Sequence, residues 1–195
     1  MLRQARYLAT IAAVVVVLIA AGNVSADMYI DVGNHLLQPN TPGQTIQIMV
    51  STDAGDRAGG CNLNAEIAGG GPAYGGEFGP AITAVNMETG TVFAGQAEDA
   101  NDIGSLAQMA TYSIVTTSGT VLADGLLATL TIDTTGFTTP GSTWTLELGQ
   151  TLNGPTDFAP TPVIITEGTI EIIPEPTTLS LLGLIGLPLL RRQRR

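Results

Sequence analysis

Residues 126–133, LLATLTID, alternate apolar and polar side chains over the length of a strand. Leu126, Ala128, Leu130 and Ile132 recur at every second position, and this period places side chains on one face of a β-sheet. The stretch therefore predicts a strand with one apolar and one polar face.

The same alternation recurs in three other stretches, namely Ile46, Ile48 and Val50; Cys61, Leu63, Ala65 and Ile67; and Trp144, Leu146 and Leu148. Less regular strand candidates are residues 29–32, 81–87, 91–94, 108–115 and 163–172, with turn-forming segments at 40–43, 69–72, 139–141 and 153–155. About nine short strands with such turns predict an all-β domain, folded as a single antiparallel, two-layer β-sandwich.

The middle of the chain is strongly acidic, whereas most of the basic residues lie near its two ends. Arg57 is the one basic residue between Asp27 and Ile173, and the other six basic residues lie in the two terminal segments. Sixteen of the seventeen acidic residues lie in the same middle stretch, so its net charge is about −15. Such a surface repels phosphate backbones, which excludes nucleic acid as a partner. The stretch 27–173 is long enough for one acidic domain with its own core.

The N-terminal residues 1–26 have the layout of a secretory signal peptide. Arg3 and Arg6 form the basic part, residues 7–21 are apolar, and small residues at 24–26 predict cleavage after Ala26. The alternative is an uncleaved membrane anchor, but a helix of about 15 residues reaches about 22 Å against a hydrocarbon core of about 30 Å. We expect a cleaved signal helix and Sec-type export.

The C-terminal residues 174–195 are PEPTTLSLLGLIGLPLLRRQRR. Pro174 and Pro176 prevent a helix from extending upstream, and the apolar run 177–190 would be a short helix of about 21 Å. The terminal arginines would hold the tail on the cytoplasmic side. Membrane insertion is expected to be transient, because the run is short for a permanent span of a hydrocarbon core of about 30 Å. A retained membrane anchor is the alternative.

This tail resembles the PEP-CTERM sorting signal of exported bacterial proteins. The resemblance rests on Pro174, Glu175 and Pro176, the Leu- and Gly-rich run, and the basic end formed by Arg191, Arg192, Arg194 and Arg195. It implies recognition by an exosortase, removal of the tail, and release from the inner membrane to the cell surface or to the exopolysaccharide of a biofilm matrix.

Three stretches of the middle domain resemble the cohesin-type sandwich, a jelly roll related to some carbohydrate-binding modules. They are PNTPGQTIQIMVST (39–52), ADGLLATLTIDTTG (123–136) and ITEGTIEI (165–172). The resemblance implies a cohesin-like fold. It provides no partner-binding residue, so no dockerin partner is predicted.

The sequence offers little for catalysis. His35 is the only histidine and is predicted to lie in an exposed loop, while Cys61 is the only cysteine and is predicted to be a small buried hydrophobe. A Gly-x-Ser-x-Gly motif does not occur. We therefore expect no enzyme, with a glycosidase-type carboxylate pair as the weakest alternative.

Two segments are candidate binding sites. Glu98, Asp99, Asn101 and Asp102 form an acidic segment, predicted to be a loop, that could hold calcium through oxygen ligands, although it lacks the spacing of a known calcium loop and a solvated acidic loop is the preferred interpretation. Asp53 and Asp56 are a weaker candidate. The Gly-rich segment 68–80, read as a flexible loop, carries Tyr74 and Phe78, which with Trp144 could stack against a sugar, although Trp144 alternates like a core residue.

These features predict an exported, non-catalytic β-sandwich of the cell surface or extracellular matrix, with exopolysaccharide or surface proteins as partners. The alternative function is a carbohydrate-binding module, with or without calcium.

Overall fold

The computed structural model describes residues 27–53, 55–149, 155–158 and 163–174, and between residues 97 and 106 it describes the backbone alone. The predicted signal helix with Ala26 and the predicted C-terminal helix lie outside these ranges. Of the sorting residues, Pro174 is described and exposed, while Glu175, Pro176, Arg191, Arg192, Arg194 and Arg195 lie outside.

The described part of the chain is built almost entirely from strands. These are β1 (Met28–Asp31), β2 (Asn34–Leu37), β3 (Gln44–Thr52), β4 (Arg57–Ala58), β5 (Gly60–Ile67), β6 (Ala81–Asn86), β7 (Ala97–Leu106), β8 (Met109–Thr116), β9 (Val121–Leu122), β10 (Gly125–Asp133), β11 (Thr143–Leu148), β12 (Asp157–Phe158), β13 (Val163–Thr166) and β14 (Gly168–Ile172). A single 3₁₀ turn, Pro72–Tyr74, is the one helical element in these ranges. Within them, no helix has the length and apolar character needed to cross a membrane.

Two sheets make up the sandwich. The five-stranded sheet has the order β13-β1-β3-β10-β6, and the seven-stranded sheet has the order β2-β14-β11-β5-β8-β7, with β12 also paired to β5. The short pair β4–β9 stands apart from both. The predicted β-sandwich is therefore confirmed.

Two strand pairs are parallel, which the purely antiparallel prediction did not contain. β1 pairs with β13 in the five-stranded sheet, and β2 pairs with β14 in the seven-stranded sheet. The chain passes from the five-stranded to the seven-stranded sheet twice, side by side. It does so from β1 to β2 through Val32 and Gly33, and from β13 to β14 through Glu167. The Val32 amide donates to the Thr166 carbonyl at 3.0 Å, and the Thr169 amide donates to the Gly33 carbonyl at 3.2 Å. These bonds connect the two parallel ladders across the step between the sheets.

The core lies between the sheets and follows most of the predicted alternation, although β5 also buries Asn64 and Glu66, Trp144 is half-buried, and β10 departs from a strict period of two. Ile46, Ile48 and Val50 of β3 are buried, as predicted. In β10 the register against β3 shifts between Leu126 and Ala128. This bulge buries Leu127 together with Ala128 and leaves Leu126 partly exposed, so the prediction that Leu126 faces the core was wrong.

Several predicted boundaries differ from the structure. Residues 91–94 form turns rather than a strand, and residues 163–172 form two strands, β13 and β14, that belong to different sheets. β2 and β7 were not predicted. Neither has a clear apolar alternation of its own, and both are formed by pairing with distant strands, β2 with β14 and β7 with β8.

Candidate functional site

The acidic segment proposed for calcium lies in a strand, so the predicted loop was wrong. Glu98, Asp99, Asn101 and Asp102 belong to β7, whose backbone pairs with β8. Their side chains lie outside the described part of the chain, and calcium binding stays a prediction. Among the side chains that are described, no three or more His, Cys, Asp or Glu residues are grouped to hold a metal ion.

His35 and Cys61 occupy structural positions. His35 lies in β2 and is partly buried, with Nε2–H donating to the Val32 carbonyl at 2.8 Å, so the predicted exposed loop was wrong. Cys61 is buried in β5, and burial, followed by the nearby Asp157 carboxylate, raises the pKa of its thiol. The two residues are three strands apart in the sheet, and this separation across the strands, about 14 Å, is by itself too far for an imidazole to activate a thiol.

One carboxylate pair lies on neighbouring strands beside a pocket. Glu66 of β5 lies directly opposite Glu147 of β11, and both line a pocket of about 400 Å³ together with Glu167. Glu66 is only 3% exposed, and the position a side chain would take at Gly149 is filled by its carboxylate. A catalytic carboxylate must reach its substrate, so this pair does not support glycoside hydrolysis.

Three aromatic side chains form a cluster, which we call the aromatic cluster: Phe78, Phe137 and Trp144. The rings of Phe78 and Phe137 stack with centroids 5.3 Å apart and planes at 26°. Trp144 meets Phe137 edge-on, with centroids 5.1 Å apart. Phe78 is 70% exposed, whereas Phe137 and Trp144 are half-buried against the core. The cluster therefore presents one ring to solvent on a partly buried base.

The Gly-rich segment positions Phe78 through hydrogen-bonded turns. The amides of Gly76 and Glu77 donate to the carbonyls of Gly71 and Ala68, at 3.0 and 2.9 Å. Glycine is required at Gly76, because a Cβ there would overlap the Ala68 carbonyl oxygen. The segment read from sequence as a flexible loop thus has a defined path in the structure.

Two hydrogen bonds hold the end of this segment against the sandwich. The Gln108 amide group donates to the Gly79 carbonyl at 2.8 Å, and Trp144 Nε1–H donates to the Phe78 carbonyl at 3.2 Å. Trp144 therefore anchors the backbone of Phe78 as well as packing in the same cluster.

Phe137 was missed by the sequence reasoning. It lies in the turn after β10, where its amide donates to the Thr134 carbonyl at 2.9 Å and its carbonyl accepts from the Asn40 amide at 3.0 Å. An aromatic residue among the turn formers of DTTGFTTP was the available signal. Of the three residues proposed for sugar stacking, Phe78 and Trp144 come together, while Tyr74 lies over Gly70 of its own loop.

A second surface is the outer face of the five-stranded sheet, which we call the neutral face. Its register places together Tyr29, Thr45, Gln47, Met49, Ser51, Ala84, Asn86, Leu126, Thr129, Thr131 and Ile164. These residues are uncharged, although the surrounding domain carries sixteen acidic residues. Two carboxylates share this outer sheet face, Asp31 opposite Met49 at the end of β1 and Asp133 opposite Ala81 at the end of β10. Met49 and Ile164 are 43% and 46% exposed.

Acidic residues lie at the ends of the strands that form the neutral face. Asp31 ends β1, Asp133 ends β10, and Asp53 follows β3. The Tyr29 hydroxyl donates to Asp53 Oδ2 at 3.0 Å, and this bond, together with the charge of Asp53, raises the pKa of Tyr29. The surface thus has a neutral centre and an acidic rim.

Comparison with known proteins identifies the fold. The third cohesin of ScaC from Acetivibrio cellulolyticus, solved with the ScaB dockerin, matches with a TM-score of 0.54 and 12% identity over 75% of this chain and 99% of that one. The sixth cohesin of scaffoldin B from the same organism, solved with a Cel5 dockerin mutant, gives 0.51 and 12% over 76% and 99%. The fold is that of a cohesin module. The predicted cohesin-like sandwich is therefore confirmed.

A type III cohesin module from the ScaE cell-surface anchoring scaffoldin of Ruminococcus flavefaciens also matches, with a TM-score of 0.50 and 13% identity over 80% of this chain and 91% of that one. No protein-family model matches the chain, and a search of curated proteins found no match. At 12–13% sequence identity, the similarity to cohesin modules concerns the fold of the chain alone.

Proposed function

We propose that the chain is an exported, non-catalytic binding module of the bacterial cell surface or extracellular matrix. The signal-peptide layout, the tail that resembles PEP-CTERM signals and the cohesin-like fold support this proposal. Its partner is a surface protein, and the single observation that carries this assignment is the neutral face.

Desolvation explains why the neutral face suits a protein partner. Burying carboxylates without ionic partners costs much free energy, whereas the cost of removing threonine, glutamine and methionine side chains from water is much smaller. The centres of protein interfaces are accordingly depleted of charged residues. Five strands of about six residues cover roughly 400 Å², about half of one side of a standard interface. The acidic rim would then complete the contact with basic groups of the partner.

A second copy of the chain is a poor occupant of the same face. Two domains of net charge about −15 repel each other, and the rim residues Asp31, Asp53 and Asp133 would meet their own equivalents or near-equivalents. A heterologous partner with a neutral centre and a basic rim avoids that cost.

A charge placed in the middle of the neutral face tests the assignment. Gln47→Glu should sharply reduce retention of the protein on washed host cells and its crosslinking to surface proteins, because the new carboxylate would be desolvated in the contact. Thr145→Glu, at an exposed strand position of the seven-stranded sheet, is the matched control. Equal retention of both variants and the unaltered protein would remove the neutral face from the proposal.

The proposed processing is tested by intact-mass analysis of the protein recovered from its host. We expect a chain that begins at Asp27 and lacks Arg191, Arg192, Arg194 and Arg195, since an exosortase would remove the tail. Deletion of residues 174–195 should change the destination of the protein. A mature chain that keeps its arginines, with an unchanged destination after deletion, would contradict exosortase sorting.

Carbohydrate binding is the second candidate function, and the aromatic cluster favours it. Calcium at Glu98, Asp99, Asn101 and Asp102 would assist such binding by ordering the acidic strand β7. Binding to soluble polysaccharides with and without a chelator tests this point. Binding that is unchanged by the chelator would remove calcium from the proposed function and leave the aromatic cluster as its basis.

A further inference from the structure

We propose that Phe78, supported by Phe137 and Trp144, is the contact surface for a neutral hexopyranose unit of a surface or matrix polysaccharide. This inference rests on the second candidate function, carbohydrate binding, and it is independent of the protein partner assigned to the neutral face. It assigns a residue and a ligand class to that function.

The exposure of Phe78 sets it apart from the other phenylalanines. The chain has four, of which Phe93 and Phe158 are 0% and 2% exposed and Phe137 is half-buried. Phe78 remains 70% exposed. Phe137 covers one face of the Phe78 ring, so the opposite face is open to solvent. The fold thus leaves most of the Phe78 side chain exposed to solvent.

The backbone that carries the ring is held in place before any ligand arrives. Its neighbour Phe137 is held by backbone hydrogen bonds to Thr134 and Asn40, and Trp144 holds the Phe78 carbonyl. A surface that is already ordered loses little conformational entropy on binding. Preorganisation of this kind distinguishes a binding platform from a mobile exposed side chain.

The chemistry around the ring favours a neutral sugar. A pyranose ring presents a face of C–H bonds that packs against an aromatic ring and excludes water from both. Glu77 and Thr138, the exposed chain neighbours of Phe78 and Phe137, provide hydrogen-bonding groups for the sugar hydroxyls. The net charge of about −15 repels uronate, sulfate and phosphate groups. The ligand class is therefore an uncharged hexose polymer.

The test uses the full-length protein in mild detergent with defined polysaccharides, namely a mixed-linkage β-glucan and a galactomannan as neutral probes and alginate as the anionic probe. We expect binding to at least one neutral probe and none to alginate. Phe78→Ala should weaken binding about tenfold or more, as expected for loss of a central aromatic contact, while Phe78→Trp should retain it. Leu36→Ala, which removes a side chain that is 64% exposed on β2, should leave binding unchanged.

The possible results of this experiment distinguish failure of the Phe78 site from failure of carbohydrate binding as a function. Neutral polysaccharide binding that is equal in Phe78→Ala and Leu36→Ala would overturn the Phe78 site and leave carbohydrate binding standing. Absence of binding to every neutral probe would overturn both. Preference for alginate would overturn the ligand class. Retention on cells stripped of polysaccharide that depends on Phe78 would show that the ring binds protein, which also overturns the proposal.

Discussion

At the residue scale, Thr134 connects the turn after β10 to residues 38–44 through one hydroxyl group. Its side chain is fully buried, and Oγ1 accepts from the Thr41 amide at 2.9 Å and from Gln44 Nε2 at 3.1 Å. The same oxygen lies 2.8 Å from the Gln38 carbonyl, to which its proton can be donated. The turn that carries Phe137 therefore depends on a buried polar contact as well as on apolar packing.

Thr134→Val should lower the free energy of unfolding by about 1–3 kcal/mol, because the methyl group fills the same space but leaves the Thr41 amide without its acceptor and removes the hydrogen bond to the Gln38 carbonyl. Denaturant titration measures the change. Thr135→Val, at an exposed position in the same turn, is the control and should change stability by about 0.5 kcal/mol or less. Equal stability of the two variants would show that the Thr134 hydroxyl does not hold the turn.

Tyr29 makes a pH-dependent contact at the edge of the neutral face. The hydrogen bond to Asp53, and then the charge of Asp53, stabilise the neutral phenol and raise its pKa above the ordinary value of 10.0. Its contribution to stability is therefore complete below pH 10 and is lost as the pH rises through the raised pKa. Absorbance titration should show the Tyr29 phenol ionising later than in Asp53→Asn, with Tyr29→Phe identifying the signal. A titration unaffected by Asp53→Asn would contradict the contact.

At the element scale, the bulge in β10 decides which leucine belongs to the core. Leu127 is 0% exposed, whereas Leu126 is partly exposed and lies opposite Met49 on the neutral face. A strict period of two would give the opposite assignment, because adjacent strand residues point to opposite faces. After the bulge, the side chains at even-numbered positions face the core, so Leu130 and Ile132 are buried as the period of two predicts.

Leu127→Ala should destabilise the fold by about 2–5 kcal/mol, since it leaves a cavity in a packed core. Leu126→Ala removes the same atoms from a half-exposed position and should cost clearly less. Chemical denaturation of the two variants gives the comparison directly. A larger loss for Leu126→Ala than for Leu127→Ala would mean that β10 has no bulge at this point.

At the scale of the whole molecule, the acidic charge opposes folding. The middle stretch carries sixteen acidic residues against Arg57, and compaction brings these charges closer together. Salt screens such repulsion over distances of about 8–10 Å at 0.1–0.15 M ionic strength. Raising the salt concentration from low to physiological should therefore increase the thermal midpoint. Sodium chloride and potassium chloride should act alike, and a midpoint that falls with salt would indicate that favourable ion pairs dominate.

The two proposed surfaces would give the molecule a bridging role. The neutral face lies on the five-stranded sheet, whereas the aromatic cluster is built on the start of β11 in the seven-stranded sheet and on two turns. A protein partner and a polysaccharide would therefore contact different parts of one cohesin-like module. Loss of one activity in Gln47→Glu and of the other in Phe78→Ala, each without the other, is the expected pattern.

The sequence by itself determined the strands with a clear period of two and the acidic character of the domain. Ile46, Ile48 and Val50 are buried as their alternation predicts, because the pattern is local and one sheet face must leave water. The resemblance to the cohesin-type sandwich rested on the stretches 39–52, 123–136 and 165–172, the first two of which contain β3 and β10, paired in one sheet.

Only the tertiary structure decided the parallel pairs, the β10 bulge, the strand nature of β7 and the two candidate surfaces. Phe78 and Trp144 are 66 residues apart, and Phe137 joins them through turns that depend on Asn40 and Gln108. The neutral face likewise combines five strands from distant parts of the chain. Such neighbours are set by sheet pairing and loop closure, which depend on the whole fold, whereas periodicity reports only what one strand buries.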